Sequence, residues 1–181
     1  MAAAWERSRA ASTPRLLLTA RALVCVQVKS PGVTLRASEL FMGHFRETQP
    51  AVLAAARPEG PTIVGNCYIH PSAKIHPTAK VGPNVSVASN ARIGPGVRLM
   101  NCIVLDDVEV RDNAVVQNAI VGWKSNVGAW ARVQGSGEYD AKMGITILGE
   151  DVKVMDETVV VNCIVLPHKE IKASVKEEVI L

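Results

Sequence analysis

A six-residue period begins at Ile69. The blocks Ile69-His-Pro-Ser-Ala-Lys, Ile75-His-Pro-Thr-Ala-Lys, Val81-Gly-Pro-Asn-Val-Ser, Val87-Ala-Ser-Asn-Ala-Arg and Ile93-Gly-Pro-Gly-Val-Arg follow without a gap, and Leu99 opens the next. Each block opens with a β-branched or aliphatic residue, and its fifth position is Ala or Val. A short fixed repeat of this kind marks a parallel β-helix. Positions one and five point inward, three blocks close one triangular coil, and the coils stack at the strand spacing of about 4.8 Å. One coil cannot bury its own inner side chains, so stability comes from stacking. Gly and Pro at positions two to four, as in Gly82-Pro83 and Gly94-Pro95-Gly96, fall at the corners. Coils of this repeat class are left-handed, an exception to the usual crossover rule.

The period then shortens. Leu99 to Val110, Val116 to Val127 and Val160 to Ile171 are steps of eleven residues rather than twelve. The three stretches share one pattern, Asn101-Cys-Ile-Val-Leu, Asn118-Ala-Ile-Val-Gly and Asn162-Cys-Ile-Val-Leu. The later coils are therefore about one residue short of the ideal. Their continuous apolar runs fit a strand covered on both faces. The polar, Gly-rich segment 134–144 has no period and reads as a loop leaving the coil, either functional or a tolerated insertion. The expected fold is all-β: a left-handed parallel β-helix of about six coils over residues 63–181, with a loop excursion near 134–144.

The N-terminal third reads differently. Residues 1–26 are rich in Ala, Ser and Arg and form an expected disordered leader; the composition also overlaps that of transit peptides. Residues 27–62 form a linker. There Leu35, Leu40, Phe41, Met42 and Phe45 permit one amphipathic helix within 34–56, either continuous or broken near Gly43, with Pro50 ending it or starting a second short one. The low aromatic fraction, 4%, suits a narrow core of Val, Ile and Ala. A net charge of +3 gives no argument for nucleic acid. No run approaches the roughly twenty apolar residues of a membrane-spanning helix.

The candidate chemistry is sparse. Cys25, Cys67, Cys102 and Cys163 make no CxxC pair and read as structural thiols in a reducing compartment. His70 and His76 take the same position in successive blocks and so face different sides of the triangle. They read as corner residues, as does His168. Asp106 and Asp107 form an acidic pair with no partner cluster, read as a solvated corner. Trp123 and Trp130 mark either a contact surface or packing over a corner. No phosphate loop, GxSxG or HExxH is present. The residues therefore nominate no catalytic, cofactor-binding or metal site and no cofactor. Stand-alone β-helix acyltransferases or zinc carbonic anhydrases remain the alternative class. They would be trimers with a ligand or metal between subunits.

Tyr68-Ile-His-Pro-Ser-Ala-Lys-Ile-His-Pro-Thr-Ala-Lys, Ile120-Val-Gly-Trp-Lys-Ser, Val127-Gly-Ala-Trp-Ala-Arg-Val, Ile147-Leu-Gly-Glu and Asn162-Cys-Ile-Val-Leu-Pro-His-Lys-Glu resemble the C-terminal part of eukaryotic GDP-mannose pyrophosphorylase (mannose-1-phosphate guanylyltransferase), with the alpha-type, regulatory subunit nearest. The loop before Ile145-Thr-Ile-Leu-Gly and the Leu166-Pro-His-Lys ending carry that finer likeness. The resemblance runs from about Gln27 to Leu181. It implies a nucleotidyltransferase family in GDP-mannose biosynthesis, but the family's Gly-rich GTP loop and Mg²⁺ acids have no counterpart here. On that basis the chain is expected to be a truncated alpha-type subunit and not itself a catalyst. It would serve as an assembly or regulatory module in the cytoplasm, or in an organelle if the leader sorts it. Expected partners are catalytic or regulatory subunits of the same enzyme, in homo- or hetero-oligomers through the β-helix. The loop matches the place of an excursion implicated in controlling the catalytic partner, although it is shorter here. A further alternative is a non-functional fragment whose linker helix exposes Leu35, Phe41 and Phe45.

Overall fold

The period of six closes the chain into a triangular solenoid with three flat parallel faces. In the computed structural model the described residues are 28, 30–55, 59–138 and 144–181. The leader expected over residues 1–26, Cys25 included, lies outside them. The first face stacks Thr62–Ile63, Lys80–Val81, the starts of Arg98–Val104 and Val115–Val121, then Arg132–Gln134, Val159–Val161 and Val175–Lys176. The second stacks Cys67–Ile69, Val85–Val87, the ends of the same two long strands, then Thr146–Leu148, Ile164–Val165 and Val179–Ile180. The third is the six-stranded sheet Lys74–Ile75, Arg92–Ile93, Glu109–Val110, Asn126–Val127, Lys153–Val154 and Glu170–Ile171.

The expected parallel β-helix is thus the fold, with seven turns rather than six. The extra turn comes at the C-terminal end. Val160 pairs with Val175, a step of only fifteen residues, and the stretch after Lys172 holds no full block of six to be recognised. Earlier, Lys74 pairs with Arg92 and Arg92 with Glu109, steps of eighteen and then seventeen. The missing residue is lost at the corner between the first and second faces, where Asn101, Asn118 and Asn162 each turn the chain alone.

Positions one and five both face inward. Ala79, Val85, Val87, Ala91, Val97 and Leu99 are fully buried, as are Cys102, Val116, Val127 and Cys163. Small and β-branched side chains fill this narrow column because three strands converge on it. At most corners the fourth residue has positive φ, among them Asn84, Asn90, Asn113, Asp107 and Lys124. Asn and Asp tolerate that conformation better than most residues. It turns the backbone N–H along the solenoid axis. Asp107 N–H then donates to Ser89 O at 3.0 Å, Lys124 to Asp106 O at 3.1 Å and Trp130 to Asp112 O at 2.9 Å. Gly82, at φ +120°, cannot be replaced, since a Cβ there would lie 1.8 Å from Val64 O.

The linker helix α1 spans Pro31–Thr48 and is not broken at Gly43. Pro31 suits its first turn, and Pro50, opening the 3-10 turn Pro50–Val52, prevents continuation. α1 packs against Arg98–Val104, and Arg46 Nη1 donates to Asn66 Oδ1 at 3.2 Å. It therefore lies beside the corner between the first and second faces. Leu35 and Met42 are 2% and 4% exposed, so the bare helix face of the non-functional-fragment alternative is absent at Leu35. Phe41, pointing away, is exposed and Phe45 is half-buried.

Candidate functional site

The described histidines stay apart. His70 Nδ1 pairs with Ser72 Oγ at 2.8 Å and His76 Nδ1 with Thr78 Oγ1 at 2.9 Å, each inside its own corner. His168, at φ +61°, reaches Asp151 at 3.3 Å one coil away. Among the described residues no three His, Cys, Asp or Glu side chains gather around a common point. Cys67, Cys102 and Cys163 are free and buried. Burial pushes the Cys102 thiol far up, with Cys67 adding to the shift, so it stays protonated and unreactive.

Asp106 departs from the solvated-corner reading. Its carboxylate accepts the backbone N–H of Ser89 at 3.0 Å and a short bond from the Ser89 hydroxyl. These bonds, with a smaller one from Trp123, hold its pKa below the usual carboxylate value. Ser89, Asp106 and Trp123 follow at seventeen residues, one short coil, which was the available sequence signal. Asp107, its neighbour, is exposed. Trp123 both closes this corner and remains 49% exposed, while Trp130 is 63% exposed at φ +60°. A bulky side chain in the left-handed region is an uncommon cost.

The corner between the first and second faces holds the most built polar structure. Asn101 Nδ2 donates to Asn118 Oδ1 at 2.7 Å, and Asn118 Nδ2 donates to Gly135 O at 3.0 Å. Ser136 N–H then donates to Asn162 Oδ1 at 2.7 Å. An asparagine ladder thus runs down this edge, with the loop base occupying the rung between Asn118 and Asn162. The loop replaces that single corner residue and spans 135–145, because Gln134 belongs to the strand Arg132–Gln134 and Thr146 to the next. Gly137 N–H donates to Gly144 O at 2.9 Å, closing its neck. Residues 139–143 lie outside the described part.

The outer columns differ in character. On the second face Ile103, Ile120, Ile147 and Ile164 stack in register, followed by Val179. Leu166, Val179 and Leu181 at its C-terminal end are exposed. The Ile-Val-Leu runs are therefore inward only at the central residue; the flanking aliphatics are half-buried or exposed. The first face carries exposed Lys80, Arg98 and Arg132. No described helix is long and apolar enough to cross a membrane.

Repeat, corners and faces together define a hexapeptide-repeat solenoid with one decorated edge. Residues 63–181 match the family model described as the GMPPB C-terminal domain. The chain is 49% identical over 174 residues to the mannose-1-phosphate guanylyltransferase regulatory subunit alpha of Xenopus tropicalis, covering 86% of this chain and 41% of that one. The Homo sapiens subunit of the same name is 48% identical over the same shares. The chain belongs to this family of guanylyltransferase subunits, its likeness being to the C-terminal domain of the alpha type. It spans about two fifths of the length of the curated relatives it matches. Among solved structures, UDP-N-acetylglucosamine acyltransferase of Francisella novicida aligns at a TM-score of 0.36 and 14% identity, over 60% of this chain and 56% of that one.

Proposed function

We propose that the chain acts as an assembly or regulatory module of GDP-mannose pyrophosphorylase, the enzyme that joins GTP and mannose-1-phosphate into GDP-mannose and pyrophosphate. It docks on a catalytic or regulatory subunit and does not itself turn over substrate. The observation that carries this reading is the aliphatic outer column of the second face, which ends in the exposed Leu166, Val179 and Leu181. A half-buried aliphatic column that ends in exposed side chains suits a surface that a partner covers. Relatives named regulatory subunit alpha make subunits of the same enzyme the natural partners. The seated neck of the 135–145 loop beside this face suits a contact that must keep its shape. In this reading residues 27–62 link, residues 63–181 dock, and the module works in the cytoplasm.

The test is co-purification of the tagged chain with a guanylyltransferase subunit, with Leu166→Glu/Val179→Glu as the comparison. Capture by the natural chain and at least tenfold weaker capture by the double variant is expected. The purified chain with GTP, mannose-1-phosphate and Mg²⁺ should release no pyrophosphate. Turnover, or capture indifferent to the two substitutions, overturns the reading.

A further inference from the structure

The third face has an outer column set by the strand register. Lys74 pairs with Arg92, Arg92 with Glu109, Glu109 with Asn126, Asn126 with Lys153 and Lys153 with Glu170. All six side chains point outward, with Ile75, Ile93, Val110, Val127, Val154 and Ile171 on the inner side. From Arg92 to Glu170 the charges run plus, minus, neutral, plus, minus. Reversed in order and in sign, that series is unchanged, with Asn126 at its centre.

We propose that this face pairs with the same face of a second copy, antiparallel, about a twofold axis that lies in the contact plane and crosses the coil of Asn126. Such an axis places each coil opposite the coil equally far on the other side of Asn126. Glu109 then faces the partner's Lys153, and Arg92 faces the partner's Glu170. Both contacts occur twice by symmetry. Within each chain Arg92 already adjoins Glu109 and Lys153 adjoins Glu170, so the paired faces form an alternating array. The Lys172–Glu170 pair at 3.3 Å is exposed and competes only weakly.

The alternatives are less complementary. Parallel pairing of this face sets every charge against its own copy. The first face offers Lys80, Arg98 and Arg132 and has no acids in that column to answer them. The second face has no charged residues in its stacked column to fix a register. The third face is also unobstructed among the described residues. α1 and the loop both sit at the corner between the first and second faces, which is the corner opposite it. The exposed indoles of Trp123 and Trp130 flank Asn126 in the coil that the axis crosses, where aromatic area counts most.

This pairing does not rest on the proposed docking to a guanylyltransferase subunit, which uses the second face. The test is sedimentation velocity of the full chain at low and high salt. A dimer that weakens with salt is expected. Glu109→Lys or Lys153→Glu alone should weaken it about tenfold, and the two together should restore it. Arg92→Glu with Glu170→Arg gives a second, independent pair, and circular dichroism checks that each variant is folded. A monomer up to about 100 µM, a dimer unmoved by single reversals, or a loss that the double reversal does not rescue overturns the proposal. Intact self-association with no capture of a guanylyltransferase subunit would instead sink only the function proposed above.

Discussion

The corner between the first and second faces and the third face opposite it are the two extremes of this solenoid. The corner collects most of the irregularities: the dropped residue at Asn101, Asn118 and Asn162, the 135–145 loop and the linker helix, while the last coil alone also shortens between Ile171 and Val175. The third face keeps one two-residue strand per coil from Lys74–Ile75 to Glu170–Ile171, even across the loop, where Asn126 pairs with Lys153. A coil can thus change length at one vertex without shifting register on the opposite side. The vertex absorbs the change through a single left-handed residue and a side-chain ladder. The sheet, by contrast, would have to turn every inward side chain outward.

The largest break is expected where the regular sheet meets the core. Val127→Asp puts a carboxylate into the fully buried column beneath Asn126 with no partner. The loss should exceed about 4 kcal/mol, and the variant should show no cooperative transition in urea. A middle effect belongs to the decorated corner. Asn118→Ala removes the acceptor for Asn101 and the donor to Gly135 O. It should cost about 1–2 kcal/mol in the same assay. Asn113→Ala, at φ +57° in the corner between the third and first faces, loses no such ladder bond among the described residues and should cost less. Equal losses would show that left-handed geometry, and not the ladder, is what the corner asparagines supply.

The smallest effect is electrostatic. The bonds from Ser89 depress the Asp106 pKa in the folded chain. The contribution to stability is therefore present above the ordinary carboxylate value of about 4 and is lost as pH falls through the lowered folded value. Ser89→Ala should bring the Asp106 titration, followed by NMR, back up toward the ordinary value. It should also flatten the acid limb of the melting curve. An unchanged titration would assign the shift to donors other than the Ser89 hydroxyl, the retained Ser89 backbone N–H first among them.

Much of this was legible in the residues. The inward positions, the shortened coils and the excursion near 134–144 follow from a period that only stacked coils satisfy; the corner that drops the residue does not. The extra coil was not legible, since between Ile171 and Val175 the step falls from six residues to four and the blocks dissolve. The Ser89–Asp106 pair was not legible either: the short coil sets the two residues one above the other, but periodicity does not show that the carboxylate turns back onto Ser89. Helical periodicity shows that the Leu35 side of the linker helix is apolar but not that the solenoid itself covers it.

The sequence by itself determined the solenoid, its three faces and its family, because each rests on local periodicity repeated many times. Only the tertiary structure decided which residues stand above one another. Vertical stacking depends on the summed length of every coil. A single residue dropped at Asn101 resets the neighbours of everything after it, from the asparagine ladder to the charge column of the third face.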